Sequence, residues 1–278
     1  MKILVPLDGS DASESSLDYV RIMASKVPVA EVCLLRCFEN PAALYNLPAL
    51  EQVADLLPAE EFLRERMQTY LEQKAAELGS VECETRVECG PTAEWILSHA
   101  ASVDLVVISR HGRRGPSRWK LGDVTAKVAR ACPRPVLIVP GKDGEPPPLQ
   151  TMMVCLDGSE YAERALDEAA KLARAVGAKL TLYRFVPLLS AADPEGQVLE
   201  ARDYLQSRRE AFADVVSEVV AQPGAVTTRI ADMAEELQVD LVVIGSRRKR
   251  AGLVDWLLGT VAEQTLHHLT RPLLIVPS

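Results

Sequence analysis

Along the 278-residue chain, apolar positions fall either into short continuous runs or into longer stretches where they recur every three or four residues. The first pattern predicts buried strands and the second predicts amphipathic helices. Ile3 to Leu7 is an apolar run that stops at Asp8-Gly9-Ser10, after which Leu17, Val20 and Met23 share one helical face. Val29 to Phe38 predicts a second strand, Glu60 to Leu78 a long helix, and Val81 to Cys89 a third strand followed by a short helix. Asp104 to Ile108 reads as a strand buried on both faces, and Ser117 to Ala131 as a helix closed by Cys132-Pro133. Pro135 to Val139 is the last strand. Apolar strands alternating with helices need crossover connections, and therefore a mainly parallel sheet covered on both faces.

The same scheme occurs twice. LDGS at Leu7 to Ser10 returns at Leu156 to Ser159, DLVVIS at Asp104 to Ser109 returns as DLVVIG at Asp240 to Gly245, and RPVLIVP at Arg134 to Pro140 returns as RPLLIVP at Arg271 to Pro277. The offsets are 149, 136 and 137 positions, so the second copy is 13 residues shorter between its first two landmarks. Copies of this length match one domain each rather than solenoid units. The expected organisation is a first domain over 1–140, a Pro/Gly-rich linker over 141–150 and a second domain over 151–278. Each domain is an α/β, doubly wound, Rossmann-like unit with a mainly parallel five-stranded sheet and helices on both faces. In the second copy the third strand is hard to place; Gly224 to Ile230 reads as a poor strand that must share residues with the next helix. The final strands, Val136 to Val139 and Leu273 to Val276, are apolar edges that invite pairing.

Composition narrows the function classes. Apolar residues make up 48% and charged residues 25%, which excludes collagenous or wholly disordered chains. No apolar run approaches the roughly 18 residues of a bilayer-spanning helix, and the apolar start ends at Leu7 without a cleavage signal, so the expectation is a cytoplasmic protein with no membrane partner. The net charge of −8 is shared by both halves and speaks against a general nucleic-acid binder. The six cysteines stop at Cys155; Cys33 with Cys37, and Cys83 with Cys89, lie at even spacings on one strand face, without the spacing of a metal site.

An open parallel sheet binds ligands beyond the carboxyl ends of its strands. Asp8 and Asp157 stand at such ends, where a carboxylate suits paired hydroxyls such as those of a ribose, and Ser10 and Ser159 suit helix capping. After the fourth strands come SRHGRRGPSRWKLGD (Ser109 to Asp123) and GSRRKRAGLVDWLLGT (Gly245 to Thr260), each leading into a helix. Glycines that let amides approach phosphate, a helix N-terminus, and the basic residues Arg110, Arg113, Arg114, Arg118, Lys120, Arg247, Arg248, Lys249 and Arg250 point to polyphosphate contact. A solvated basic loop accounts for the same residues. No acid/base pair, metal cluster or activated nucleophile emerges from spacing, so the chain does not read as an enzyme beyond weak ATP hydrolysis.

The LDGS strand end, GPTAEWI (Gly90 to Ile96), the DLVVIS-RHGRRG loop and the RPVLIVP terminus together resemble the universal stress protein family, over nearly the whole chain as two tandem domains. The resemblance implies a stress-response role and ATP, with or without Mg, held between the first-strand aspartate and a G-x-x-G-x9-G-S/T loop. In the first copy those loop positions fall on Ser109, Gly112, Gly122 and Asp123, with His111 at the family's histidine position; Asp123 puts a carboxylate where a hydroxyl belongs. In the second they fall on Gly245, Arg248, Gly259 and Thr260, with Arg248 replacing the middle glycine in a loop one residue longer. Adenine-side positions are similar to Pro6 and Cys37 in the first copy and to Cys155 and Phe185 in the second. The resemblance further implies that the two final strands pair antiparallel inside one chain, as in a family dimer; a homodimer of whole chains is left open. The expectation is an adenine nucleotide bound as a regulatory ligand, more in the second domain than in the first. The alternative is a partner-interaction module with degenerate loops. Leu44, Tyr45, Leu47 and Leu50, in the segment absent from the second copy, are expected to pack on their own domain.

Overall fold

A computed structural model describes residues 1–28, 31–39, 57–112, 121–141, 146–187, 193–224, 226–247, 249–251, 255–257 and 260–278. The first half runs β1 (Lys2–Pro6), α1 (Asp11–Lys26), β2 (Glu31–Phe38), α2 (Leu57–Glu77), β3 (Cys83–Cys89), α3 (Thr92–Ala100), β4 (Leu105–Ser109), α4 (Asp123–Ala131) and β5 (Val136–Val139). The second half runs β6 (Thr151–Cys155), α5 (Glu160–Val176), β7 (Lys179–Val186), α6 (Pro194–Ala211), β8 (Val216–Pro223), α7 (Val226–Glu236) and β9 (Leu241–Ser246). Two short strands follow, β10 (Lys249–Ala251) and β11 (Asp255–Leu257), then α8 (Thr260–His268) and β12 (Leu273–Pro277). The alternation that the apolar pattern predicts is therefore present in both halves.

The two halves form one sheet of ten strands in the order β3-β2-β1-β4-β5-β12-β9-β6-β7-β8. Pairing is parallel everywhere except at the centre, where β12 runs antiparallel to β5 with Leu273 opposite Ile138, Leu274 opposite Leu137 and Ile275 opposite Val136. Five-stranded halves thus join through the two strands that would otherwise be apolar edges. Strand residues alternate between two cores, one on each face. Ile3, Val5, Leu137, Val139, Leu274 and Val276 belong to one, and Leu4, Val136, Ile138, Leu273 and Ile275 to the other, so both cores run unbroken through the junction.

Helix starts are fixed locally. Ser10 caps α1 by accepting from the Ser13 amide at 3.1 Å, and Ser159 caps α5 by accepting from the Ala162 amide at 3.3 Å. Acidic residues occupy both first turns, Asp11 and Glu14 in one and Glu160 and Glu163 in the other, where they meet the positive helix end. The buried face of α5 is built from Ala162, Ala165, Ala169, Ala170 and Ala173 around Leu166, so the helix lies close on the sheet.

Two expected elements are corrected. The third strand of the second copy is β8, upstream of Gly224 to Ile230. Val216–Pro223 pairs along β7 with a bulge at Leu180/Thr181, the Gly224 amide ends it on the Val186 carbonyl at 3.0 Å, and α7 takes the residues from Val226 onward. The strand was hidden because its solvent side carries Ser217 and Glu218 and only Val216 and Ala221 are fully buried. The helix expected from Ser117 begins at Asp123, since Gly122 is extended (φ −64, ψ 144) and serves as its N-cap; residues 113–120 lie outside the described residues. Leu44, Tyr45, Leu47 and Leu50 lie outside them too.

Candidate functional site

The turns after β1, β4, β6 and β9 lie at the carboxyl ends of central strands, the edge where the sequence places its candidates. In the first half the Ser10 amide and hydroxyl both donate to Asp8 Oδ1, at 2.9 and 2.6 Å, and the Asp8 amide donates to Ser13 Oγ at 3.3 Å. Ser10 therefore caps α1 and fixes the aspartate at once. Gly9 makes this turn with φ +79, a conformation that suits glycine. The other carboxylate oxygen meets the loop after β4: a methyl group on Gly112 would fall 2.4 Å from Asp8 Oδ2. Asp8 and Gly112 are thus brought into direct contact through Oδ2, and Asp8 is half-buried.

The base of that loop is tightly tied. Ser109 is buried, its hydroxyl donating to the His111 carbonyl at 2.7 Å while its own carbonyl accepts from Thr125 Oγ1 at 2.9 Å. The Gly122 amide donates to the Arg110 carbonyl at 2.9 Å, and α4 starts there without a side-chain cap, with Asp123 exposed in its first turn. Arg110 is 6% exposed, and its Nε and Nη2 find no hydrogen-bond partner among the described residues. Burial pushes its guanidinium down to about 10. The loop's density of arginines points to phosphate contact or a solvated cluster, and nothing in the sequence marks Arg110 as the member that turns inward.

The second half is arranged differently. Asp157 is exposed; its Oδ1 accepts from the Ser159 amide at 2.9 Å and hydroxyl at 2.5 Å, and its Oδ2 accepts from the Tyr161 hydroxyl at 3.0 Å. Burial pushes this carboxyl up, but those hydrogen bonds outweigh it and hold it below its ordinary value. The Arg247 guanidinium lies 5.8 Å from the Tyr161 ring centre. Tyr161, which no sequence motif marks, therefore joins the aspartate after β6 to the arginine after β9. Gly245 has a packing reason: a methyl group there would fall 2.3 Å from the Tyr161 carbonyl oxygen and 2.8 Å from the Ala162 nitrogen. The residues after β9, expected to form a glycine-lined cradle, include a short antiparallel ladder pairing Lys249 with Leu257, Arg250 with Trp256 and Ala251 with Asp255. Thr260 opens α8, while Arg248 and Gly259 lie outside the described residues, as do Arg113, Arg114, Arg118 and Lys120.

The adenine-side candidates separate as well. Pro6 is buried at the end of β1, and burial pushes the Cys37 and Cys155 thiols up to about 12, so both stay protonated. Phe185 is 7% exposed, its ring 4.8 Å from that of Tyr183 inside the core. All six cysteines are free thiols.

The model of the universal stress protein family matches residues 1–140 and 148–277. The chain belongs to the universal stress protein family. Two such domains in tandem make up this universal stress protein, and the β5–β12 pairing is the intramolecular junction between them. A universal stress protein of Archaeoglobus fulgidus shares the fold over 99% of this chain and 98% of its own, with a TM-score of 0.75 at 21% identity. A Bacillus subtilis universal stress protein is 34% identical over 146 residues, covering 50% of this chain and 97% of its own length. One from Mycolicibacterium smegmatis is 30% identical over 139 residues; that match spans 50% of this chain and 45% of the relative. Among the described residues no helix is long and apolar enough to cross a membrane, and no group of His, Cys, Asp or Glu is suited to a metal ion.

Proposed function

We propose that this tandem universal stress protein binds an adenine nucleotide, with ATP the first candidate, as a regulatory ligand in a stress response, and that the second domain is the binding half. The observation that carries the reading is the contrast between the two aspartates. Asp157 presents an exposed, ionised carboxylate linked through Tyr161 to Arg247 at the edge where α/β sheets take ligands, whereas Asp8 is half-buried with one carboxylate oxygen against Gly112. In this reading Asp157 accepts from the ribose hydroxyls. Arg247, together with Arg248, Gly259 and Thr260 of the following loop, faces the phosphates, with or without Mg bound to them. Titration calorimetry of the full chain with ATP tests it. Measurable heat is expected, weakened about tenfold or more in Asp157→Ala because a charge-assisted hydrogen bond is lost; absence of heat at high micromolar ATP sinks it.

A second reading, a partner-interaction module that takes no nucleotide, draws on Gly245 and Gly112, each of which is accounted for by packing alone. It predicts that freshly purified protein carries no nucleotide absorbance.

A further inference from the structure

Beneath each aspartate turn, on the face covered by α1 and α2 in one half and by α5 and α6 in the other, stands a cluster that neither reading uses. In the first half the Arg36 guanidinium lies against Gly9, where a methyl group would fall 2.8 Å from Nη1, and 4.5 Å above the Tyr70 ring. The Tyr70 hydroxyl donates to Glu14 at 2.9 Å, and Lys74 reaches the same carboxylate at 2.9 Å while lying 5.9 Å from the ring. In the second half the Arg184 guanidinium lies against Gly158, where a methyl group would fall 3.6 Å from Nη1, and 5.0 Å above the Tyr204 ring. The Tyr204 hydroxyl donates to Glu163, and Arg208 pairs with Glu163 at 3.5 Å while lying 5.5 Å from the ring.

The two sets match residue for residue, Glu14 with Glu163, Arg36 with Arg184, Tyr70 with Tyr204 and Lys74 with Arg208, although they are drawn from three elements of each half. The offsets within them are 149, 148 and 134 positions, so the same constellation persists across the 13-residue length difference between the copies. Its chemistry is directional. The tyrosine ring holds one face of the guanidinium, the glutamate fixes the tyrosine, and the positive-φ glycine of the turn rests on the guanidinium, tightly at Gly9 and at ordinary contact distance at Gly158.

We propose that Arg36 and Arg184 are positioning residues that hold the Asp8 and Asp157 turns in place, and that Arg184 thereby sets the affinity of the second-domain site. The affinity part rests on the nucleotide reading above; the positioning part does not. Asp8 is close enough to this cluster to act on Tyr70, whose hydroxyl is pushed above its ordinary range first by burial, then by Glu14 and, less, by Asp8.

The test uses the full chain and two readouts. Hydrogen exchange of the Ser159 amide, which donates to Asp157, is expected to speed up about tenfold in Arg184→Met, the scale of a lost cation–ring contact, and Arg184→Lys is expected to recover part of the protection. Arg174→Met, which removes a comparable cation–ring contact with Phe212 and an ion pair with Asp214, serves as the control and should leave Ser159 unchanged. In parallel, ATP affinity should fall about tenfold in Arg184→Met. Unchanged Ser159 exchange, or faster exchange spread evenly along α5, overturns the positioning role. Altered exchange with unchanged ATP affinity overturns its effect on the site. A wild-type chain that takes no ATP refutes the nucleotide reading, and the exchange result still decides the positioning role.

Discussion

Replacing Gly245 by alanine is the sharpest perturbation of the candidate edge. The added methyl would lie 2.3 Å from the Tyr161 carbonyl oxygen, 2.6 Å from its carbon and 2.8 Å from the Ala162 nitrogen. Real contacts of that kind stop near about 3 Å, so the first turn of α5 must retreat by roughly 0.7 Å or the end of β9 must bend. Neither moves freely. The turn is tied by the Ser159 cap, and the helix behind it is seated on Ala162, Ala165 and Leu166, all buried. Overpacking against fixed backbone costs about 1–3 kcal/mol, which corresponds to a melting temperature lower by about 2–5 °C for a chain of this size. The corresponding first-half position already carries Ser109, so Ser109→Ala should cost less, about 1 kcal/mol for its hydrogen bond to the His111 carbonyl. Thermal unfolding followed by circular dichroism compares the two. If Gly245→Ala melts within about 1 °C of wild type, the packing account of this glycine fails; lost ATP heat at unchanged stability would assign it to phosphate approach instead.

Arg110→Met should raise the melting temperature, because it replaces a buried cation whose Nε and Nη2 have no hydrogen-bond partner among the described residues by an apolar side chain, a gain of about 1 kcal/mol or more; a lower melting temperature would show that the guanidinium is satisfied in solution. Leu274→Asp puts a charge into the central seam opposite Leu137 and should cost at least about 3 kcal/mol, seen as separate unfolding of the halves by calorimetry or as new proteolytic cutting between them. For Asp157 the sign is that of a depressed carboxyl. Its stabilising contribution is full above the ordinary carboxylate value and is lost as pH falls through the lower folded value. Acid unfolding below about pH 4 should therefore be less steep in Asp157→Asn, and identical acid limbs would contradict it.

The strand and helix order was legible because β1, β4, β6 and β9 are buried on both faces and read as unbroken apolar runs. That the final strands pair was legible for a related reason, since Val136–Val139 and Leu273–Pro277 are too apolar to be left as edges, while their antiparallel pairing with each other came from the family resemblance. β8 was not, because an outer strand carries its polar residues on one side and loses the run that marks a central one. At the site, the sequence named Asp8 and Asp157 alike, yet their surroundings differ through Gly112 on one and Tyr161 on the other, contacts made across the fold. Arg110 was indistinguishable from its basic neighbours for the same reason: burial of a long side chain depends on where the strand end lies, not on its local composition. The paired Arg–Tyr–Glu clusters did leave a trace, in residue types repeated at offsets of 148, 134 and 149 positions.

The antiparallel seam between β5 and β12 carries a freedom that two separate identical chains lack. In a symmetric pair of identical subunits every substitution appears on both sides of the axis, so the residues of one site cannot diverge from those of its twin. Because this seam joins two stretches of a single polypeptide, each side can change alone. The contact of Asp8 with Gly112 and the exposed Asp157 with its tyrosine and, beyond it, an arginine are two such independent outcomes, carried by one continuous sheet.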